Sequence, residues 1–168
     1  ALTILPGAFA ISFYPATSYF FKFDREKLKE TLHWGLIYMF LLALPITFAV
    51  WILADNLILQ TVWKTPNNVW GASVPTLQIL ISSLLFVFVN YPLGNLLNAC
   101  NRQTVNTVNT GIALLVNVIA NLLLIPRYTF LGTAIAYTLS SIILVALNLP
   151  HVIKVVHLDF HFLWRKNP

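Results

Sequence analysis

The chain has 168 residues, of which 58% are hydrophobic and 9% charged, with a mean hydropathy of +0.79 and a formal net charge of +5. Soluble domains carry about 25% charged residues, so a water-soluble globular protein is excluded. The ten Lys and Arg are spread over linkers instead of being clustered, so they mark membrane topology and not a nucleic-acid surface.

Five stretches hold no Asp, Glu, Lys or Arg: 1–21, 31–54, 65–101, 103–126 and 128–153. Each is long enough to cross a bilayer as a helix, which takes about 20 apolar residues. The expected class is therefore all-α, a polytopic bundle with spans near 1–21, 32–54, 73–97, 107–125 and 131–150. The remainder, 154–168, reads as a cytoplasmic interfacial tail in which His and basic residues alternate with apolar ones.

The first stretch starts apolar and lacks the basic segment of a signal peptide, which fits a piece of a longer protein. It contains Pro6 and Pro15, with Ser12, Thr17 and Ser18 around the second. The linker 22–30 is a charged turn of helix for which Asp24 is the expected N-cap. The third stretch opens on loop-like Thr65-Pro66-Asn67-Asn68, so its helix is placed at 73–97, with Pro75 near its start and Pro92 near its end.

Linker 22–30, Arg102 and the tail lie on one side of the membrane and carry eight basic residues, against Lys64 and Arg127 on the other. Lys/Arg-rich loops are cytoplasmic, so the first span runs from outside to inside. Tyr19, Trp34, Trp63, Trp70, Tyr128 and Trp164 fall near stretch ends, where amphipathic rings favour the interface.

No acid or base lies in the middle of a span, and His33 and His151 belong to cytoplasmic span ends. Cys100, the single cysteine, rules out an internal disulfide. The histidines form no metal constellation, and no cofactor is implied. What the spans carry is neutral polarity. Thr110, Asn117 and Asn121 share one face of the fourth span. In the third, Gln78 and Ser82 are four apart, then Asn90, Gly94 and Asn98 follow in two further steps of four. Such residues tie membrane helices together, or they line a hydrated cavity. Proline breaks at 6, 15, 45, 75 and 92 suit hinged helices as well as static bundles.

The stretch 97–141 carries a more specific signal. Asn98-Ala-Cys-Asn-Arg102, Asn117-Val-Ile-Ala-Asn121 followed by Ile125-Pro126-Arg127-Tyr128, and Leu131-Gly132-Thr133-Ala134-Ile135-Ala136 resemble the polysaccharide flippases of the multidrug/oligosaccharidyl-lipid/polysaccharide exporter superfamily. Phe13-Tyr14-Pro15-Ala16 before the charged linker is similar to that family's segment of the same order. Thr129 stands where the family usually has Gly, at odds with a tight outer turn, and Thr133 where it often has Ala.

The resemblance implies a transporter of twelve to fourteen helices in two six-helix halves around a central cavity, this chain supplying about the eighth to twelfth. It implies a multi-pass cell-membrane flippase, not an enzyme, that moves lipid-linked oligosaccharide from the cytoplasmic to the outer leaflet for polysaccharide biosynthesis. Its partners would be that substrate, membrane lipids, and a glycan polymerase or glycosyltransferases, with no nucleic acid. The candidate cavity residues are Gln78, Asn90, Asn98, Arg102, Asn117 and Asn121; the amides donate and accept toward sugar hydroxyls, and Arg102 on the cytoplasmic rim meets a pyrophosphate. Three readings remain beside it: a cation-coupled multidrug exporter, which would want an intramembrane acid, a membrane-embedded transferase, which would want clustered catalytic groups, and a non-transporting scaffold.

Overall fold

A helix longer than a bilayer is thick must project beyond it, and this governs the architecture. The computed structural model describes residues 4–56, 58 and 73–156, and five helices lie among them: α1 (Ile4–Phe23), α2 (Arg25–Asp55), α3 (Ser73–Ala99), α4 (Gln103–Tyr128) and α5 (Phe130–Val156). The expected tail lies outside the described residues apart from Lys154–Val156, which extend α5; Trp63, Lys64, Trp70 and Trp164 also lie outside them. α2 to α5 are long and apolar enough to cross a membrane. α1, at 20 residues, is not among them, and Ser12, Thr17, Ser18 and Lys22 lower its hydropathy.

From Arg25 onward the charged linker is part of α2 itself, while Lys22 ends α1. Asp24, in extended conformation, accepts a hydrogen bond from Lys27 N at 3.1 Å and starts the helix there. At 1.5 Å per residue the 31 residues of α2 span about 46 Å, so its first turns extend past a hydrocarbon core of about 30 Å and keep Arg25, Glu26, Lys27, Lys29 and Glu30 in the headgroup layer. Beyond its first turn each helix holds one proline: Pro15, Pro45, Pro92, Pro126 and Pro150.

α3 is the hub, packing on α1, α2, α4 and α5, while α4 packs chiefly on α5. Two apolar clusters hold the bundle. At the basic end, Leu28 and Leu32 of α2 meet Leu93, Leu96 and Leu97 of α3 and Val152 and Val156 of α5. Further along, Met39 and Ala43 of α2 pack on Ile81, Leu84 and Phe88 of α3. Outward, Leu114, Leu115, Val118, Ile119, Leu122 and Leu123 of α4 are exposed, as a lipid-facing surface demands.

Both turns around α4 have backbone reasons. After α3, Arg102 N donates to Leu97 O at 2.8 Å and Asn101 N to Asn98 O at 3.4 Å, a Schellman stop with Asn101 at φ 59°. Asn tolerates that left-handed conformation. Between α4 and α5 the turn is a single residue, Thr129, at φ 51° and ψ −123°. Glycine would adopt this conformation freely, whereas a β-branched residue is strained by it. The tight turn therefore forms despite the threonine. It brings α5 so close that a Cβ on Gly132 would lie 2.7 Å from the Leu124 carbonyl group.

Candidate functional site

The amides come together along the seam where α3, α4 and α5 meet. Asn148, fully buried on α5, is the centre. Its Nδ2 donates to Asn90 Oδ1 of α3 at 2.8 Å and reaches Asn106 Oδ1 of α4 at 3.4 Å. Its Oδ1 accepts from Asn109 Nδ2 of α4 at 2.9 Å, and the same amide group also donates to Leu147 O at 3.2 Å. Asn106 Nδ2 in turn donates to Asn98 Oδ1 at 3.1 Å. Gly94 makes this approach possible, since a Cβ there would sit 3.3 Å from Asn106 Oδ1.

Toward the other end a second chain of bonds runs through α4. Asn121 Nδ2 donates to Asn117 Oδ1 at 3.0 Å and to Asn117 O at 2.9 Å. Asn117 Nδ2 donates to Ser140 Oγ of α5 at 3.1 Å, and Ser140 Oγ to Tyr137 O at 2.9 Å. Among the described residues, Asn121 Oδ1 and Thr47 Oγ1 are shielded and have no hydrogen-bond partner.

Between these two groups lies a cavity of about 310 Å³, lined among others by Asn90, Tyr91, Thr110, Asn117, Tyr137, Ser140 and Ser141. Its volume falls at the small end of ligand pockets, about 300–1,000 Å³. A larger groove of about 450 Å³ between α1 and α2 is walled by Phe9, Phe13, Phe20, Trp34 and Tyr38, with Lys27, Glu30 and Thr31 at one end. The smaller cavity differs in that amides and hydroxyls from three helices converge on it, set among apolar Phe86, Val87, Ala113, Leu114 and Leu144.

Of the residues expected from sequence, Asn90 and Asn117 line this cavity. Asn98 lies further toward the basic end, bonded to Asn106. Asn121 sits beyond Asn117 on α4, and Gln78 Nε2 reaches Trp51 O at 3.5 Å, linking α3 to α2. Arg102 lines a separate pocket of about 100 Å³ with Val105, His151, Lys154 and Val155. Sequence reading missed Asn106, Asn109 and Asn148. The first two were findable: 106, 109, 113, 117 and 120 follow the three- and four-residue steps of one helical face. Asn148 stands alone before Leu149-Pro150, with no pattern to mark it.

Cys100, in the turn after α3, is 3% exposed. Burial pushes its thiol up to about 11, against a smaller opposing pull from the Arg25 guanidinium.

Among curated proteins and among solved structures, no match to the chain was found. The family described as lipid II flippase MurJ matches residues 2–167, nearly the whole chain. That agrees with the expected flippase of a lipid-linked precursor, and names lipid II where the resemblance named polysaccharide. A bundle of long apolar helices with a neutral polar seam, matched by that family over its length, belongs to the MurJ family of lipid II flippases, multi-pass proteins of the cytoplasmic membrane that move a substrate and catalyse no reaction.

Proposed function

We propose that this protein carries a lipid-linked sugar precursor from the cytoplasmic to the outer leaflet, and that α3, α4 and α5 form part of the wall along which the sugar passes. The observation that carries the reading is the cavity lined by Asn90, Thr110, Asn117, Ser140 and Ser141. A sugar in hydrocarbon leaves several hydroxyls without partners, each at a cost of about 1–3 kcal/mol. Side chains that both donate and accept offset this without adding a charge.

Asn90 and Asn117 keep capacity for a ligand after their internal bonds. Asn90 accepts at Oδ1 from Asn148, so its amide hydrogens remain; Asn117 donates one hydrogen to Ser140 and keeps the other. The family favours lipid II as substrate. The resemblance of 97–141 to polysaccharide flippases keeps a lipid-linked oligosaccharide as the second reading. The basic end, with Lys22, Arg25, Lys27, Lys29, Arg102 and Lys154, would face the cytoplasm.

Asn117→Leu and Asn90→Leu test the pathway, since Leu keeps the bulk and removes the hydrogen-bonding edge. Outer-leaflet lipid II and surface polysaccharide are both measured on intact cells, normalised to protein in the membrane. Loss of the first signal per molecule identifies lipid II, and loss of the second identifies the oligosaccharide. Unchanged transport of both in both variants would remove these amides from the pathway.

A further inference from the structure

The pocket at the basic end has a chemistry of its own. It lies between the start of α4 and the last turns of α5, and three of its five lining residues are Arg102, His151 and Lys154. A fourth basic group adjoins it: Arg25, stacked at 4.2 Å on Phe21, donates from Nη1 to the carbonyl of Val155, another lining residue, at 3.3 Å. His151 Nδ1 donates to Leu147 O at 2.9 Å, which leaves Nε2 to meet a phosphoryl oxygen as a donor in the imidazolium form.

Among the described residues no carboxylate pairs with Arg102, Arg25 or Lys154; the ion pairs of this end join Lys27 to Asp24 and Lys29 to Glu26. Cations gathered around one small cavity repel one another, and an anion seated among them removes that cost. At about 100 Å³ the pocket has about a third of the volume of the amide-lined cavity. The pocket is separate from the amide-lined cavity, sharing no residue with it. Its lining lies at the start of α4 and in the last turns of α5, the end of the bundle that carries the basic side chains attracted by anionic headgroups.

We propose that the pocket formed by Arg102, His151 and Lys154, with Arg25 beside it, is a binding site for a phosphoryl group carried on a membrane lipid. Two lipids present this chemistry at that depth: an anionic phospholipid and a polyprenyl pyrophosphate carrier. The site holds the charged head by charge-assisted hydrogen bonds while the tail stays in the bilayer.

The test is lipid retention by the intact protein, purified into nanodiscs and read by native mass spectrometry. The probes are phosphatidylglycerol, with phosphatidylcholine as the zwitterionic control, and undecaprenyl pyrophosphate without a sugar. Arg102→Gln/Lys154→Gln should lower retention of at least one anionic probe about tenfold or more, as loss of charge-assisted bonds implies. The charge-conserving Arg102→Lys/Lys154→Arg should keep most of it. Selective loss of phosphatidylglycerol assigns a phospholipid headgroup, and selective loss of the pyrophosphate assigns the carrier. Equal retention of both probes by wild type and neutralised protein overturns the site. If the double variant fails to accumulate, Lys154→Gln alone, an exposed change, decides by the same criterion. The measurement reads binding only, so it stands even if the transport reading fails.

Discussion

Asn148 and Asn90 join α5 to α3 through a 2.8 Å hydrogen bond, and the other end of the Asn148 amide accepts from Asn109 of α4. One buried side chain thus joins three helices. Membrane hydrogen bonds average about 0.6 kcal/mol each, so Asn148→Leu, which strands partners on two helices, should cost about 2 kcal/mol. Asn121→Leu should cost almost nothing, because Asn121 bonds only within its own helix and already has a shielded oxygen without a partner. Unfolding in mixed detergent measures both. Equal losses in the two variants would contradict Asn148 as the centre.

The single-residue turn between α4 and α5 makes opposite forecasts for its two ends. Gly132→Ala places a methyl 2.7 Å from backbone that cannot yield, and overpacking of this kind costs about 1–3 kcal/mol. Thr129→Gly removes the strain of a β-branched residue at φ 51°, typically about 1–3 kcal/mol, less the greater freedom of glycine in the unfolded chain. A net gain of about 1 kcal/mol is expected. Thermal melting of the two variants should move in opposite directions.

Topology is open to labelling, and the native Cys100 is too buried to interfere. With the basic end cytoplasmic, Lys64→Cys reacts with an impermeant maleimide on intact cells. Lys22→Cys and Lys27→Cys react only after lysis. Reaction at 27 from outside reverses the orientation. Reaction at 22 from outside, with 27 protected, would show that α1 does not hold position 22 on the inner side.

Cys100 gives a pH forecast. Burial raises its pKa to about 11 by disfavouring the thiolate, the reactive form. At pH 8 only about one molecule in 1,000 carries the thiolate, so alkylation should be slow and rise about tenfold per pH unit up to 11. Arg25→Gln removes the nearby charge that pulls the value down and should slow alkylation further. A rate that levels off near pH 8 or 9 would contradict the burial argument.

Hydropathy made the class and the helices of this bundle legible, because bilayer thickness imposes length and exclusion of charge. It did not show that α2 continues through its charged turn, since charge pattern separates water from lipid and not one helix from the next. Asn90 and Asn117 were legible as cavity candidates because they share faces with other polar residues. Asn148 was not, for a lone amide beside Pro150 looks the same whether it faces lipid or the centre of the bundle. Gln78 was grouped with Asn90 by steps of four, yet it turns to α2, because α3 has neighbours on several sides and periodicity alone does not say which one a face meets.

The seam through Asn98, Asn106, Asn109, Asn148 and Asn90 is built of amides alone. Amides gain and lose no proton across the physiological range, and they carry no net charge on which a membrane potential could do work, whereas one elementary charge gains about 2.3 kcal/mol per 100 mV. Neither acidification nor depolarisation should therefore loosen the contact of α3, α4 and α5. Any voltage or proton gradient that acts on this protein must therefore act on groups outside that seam.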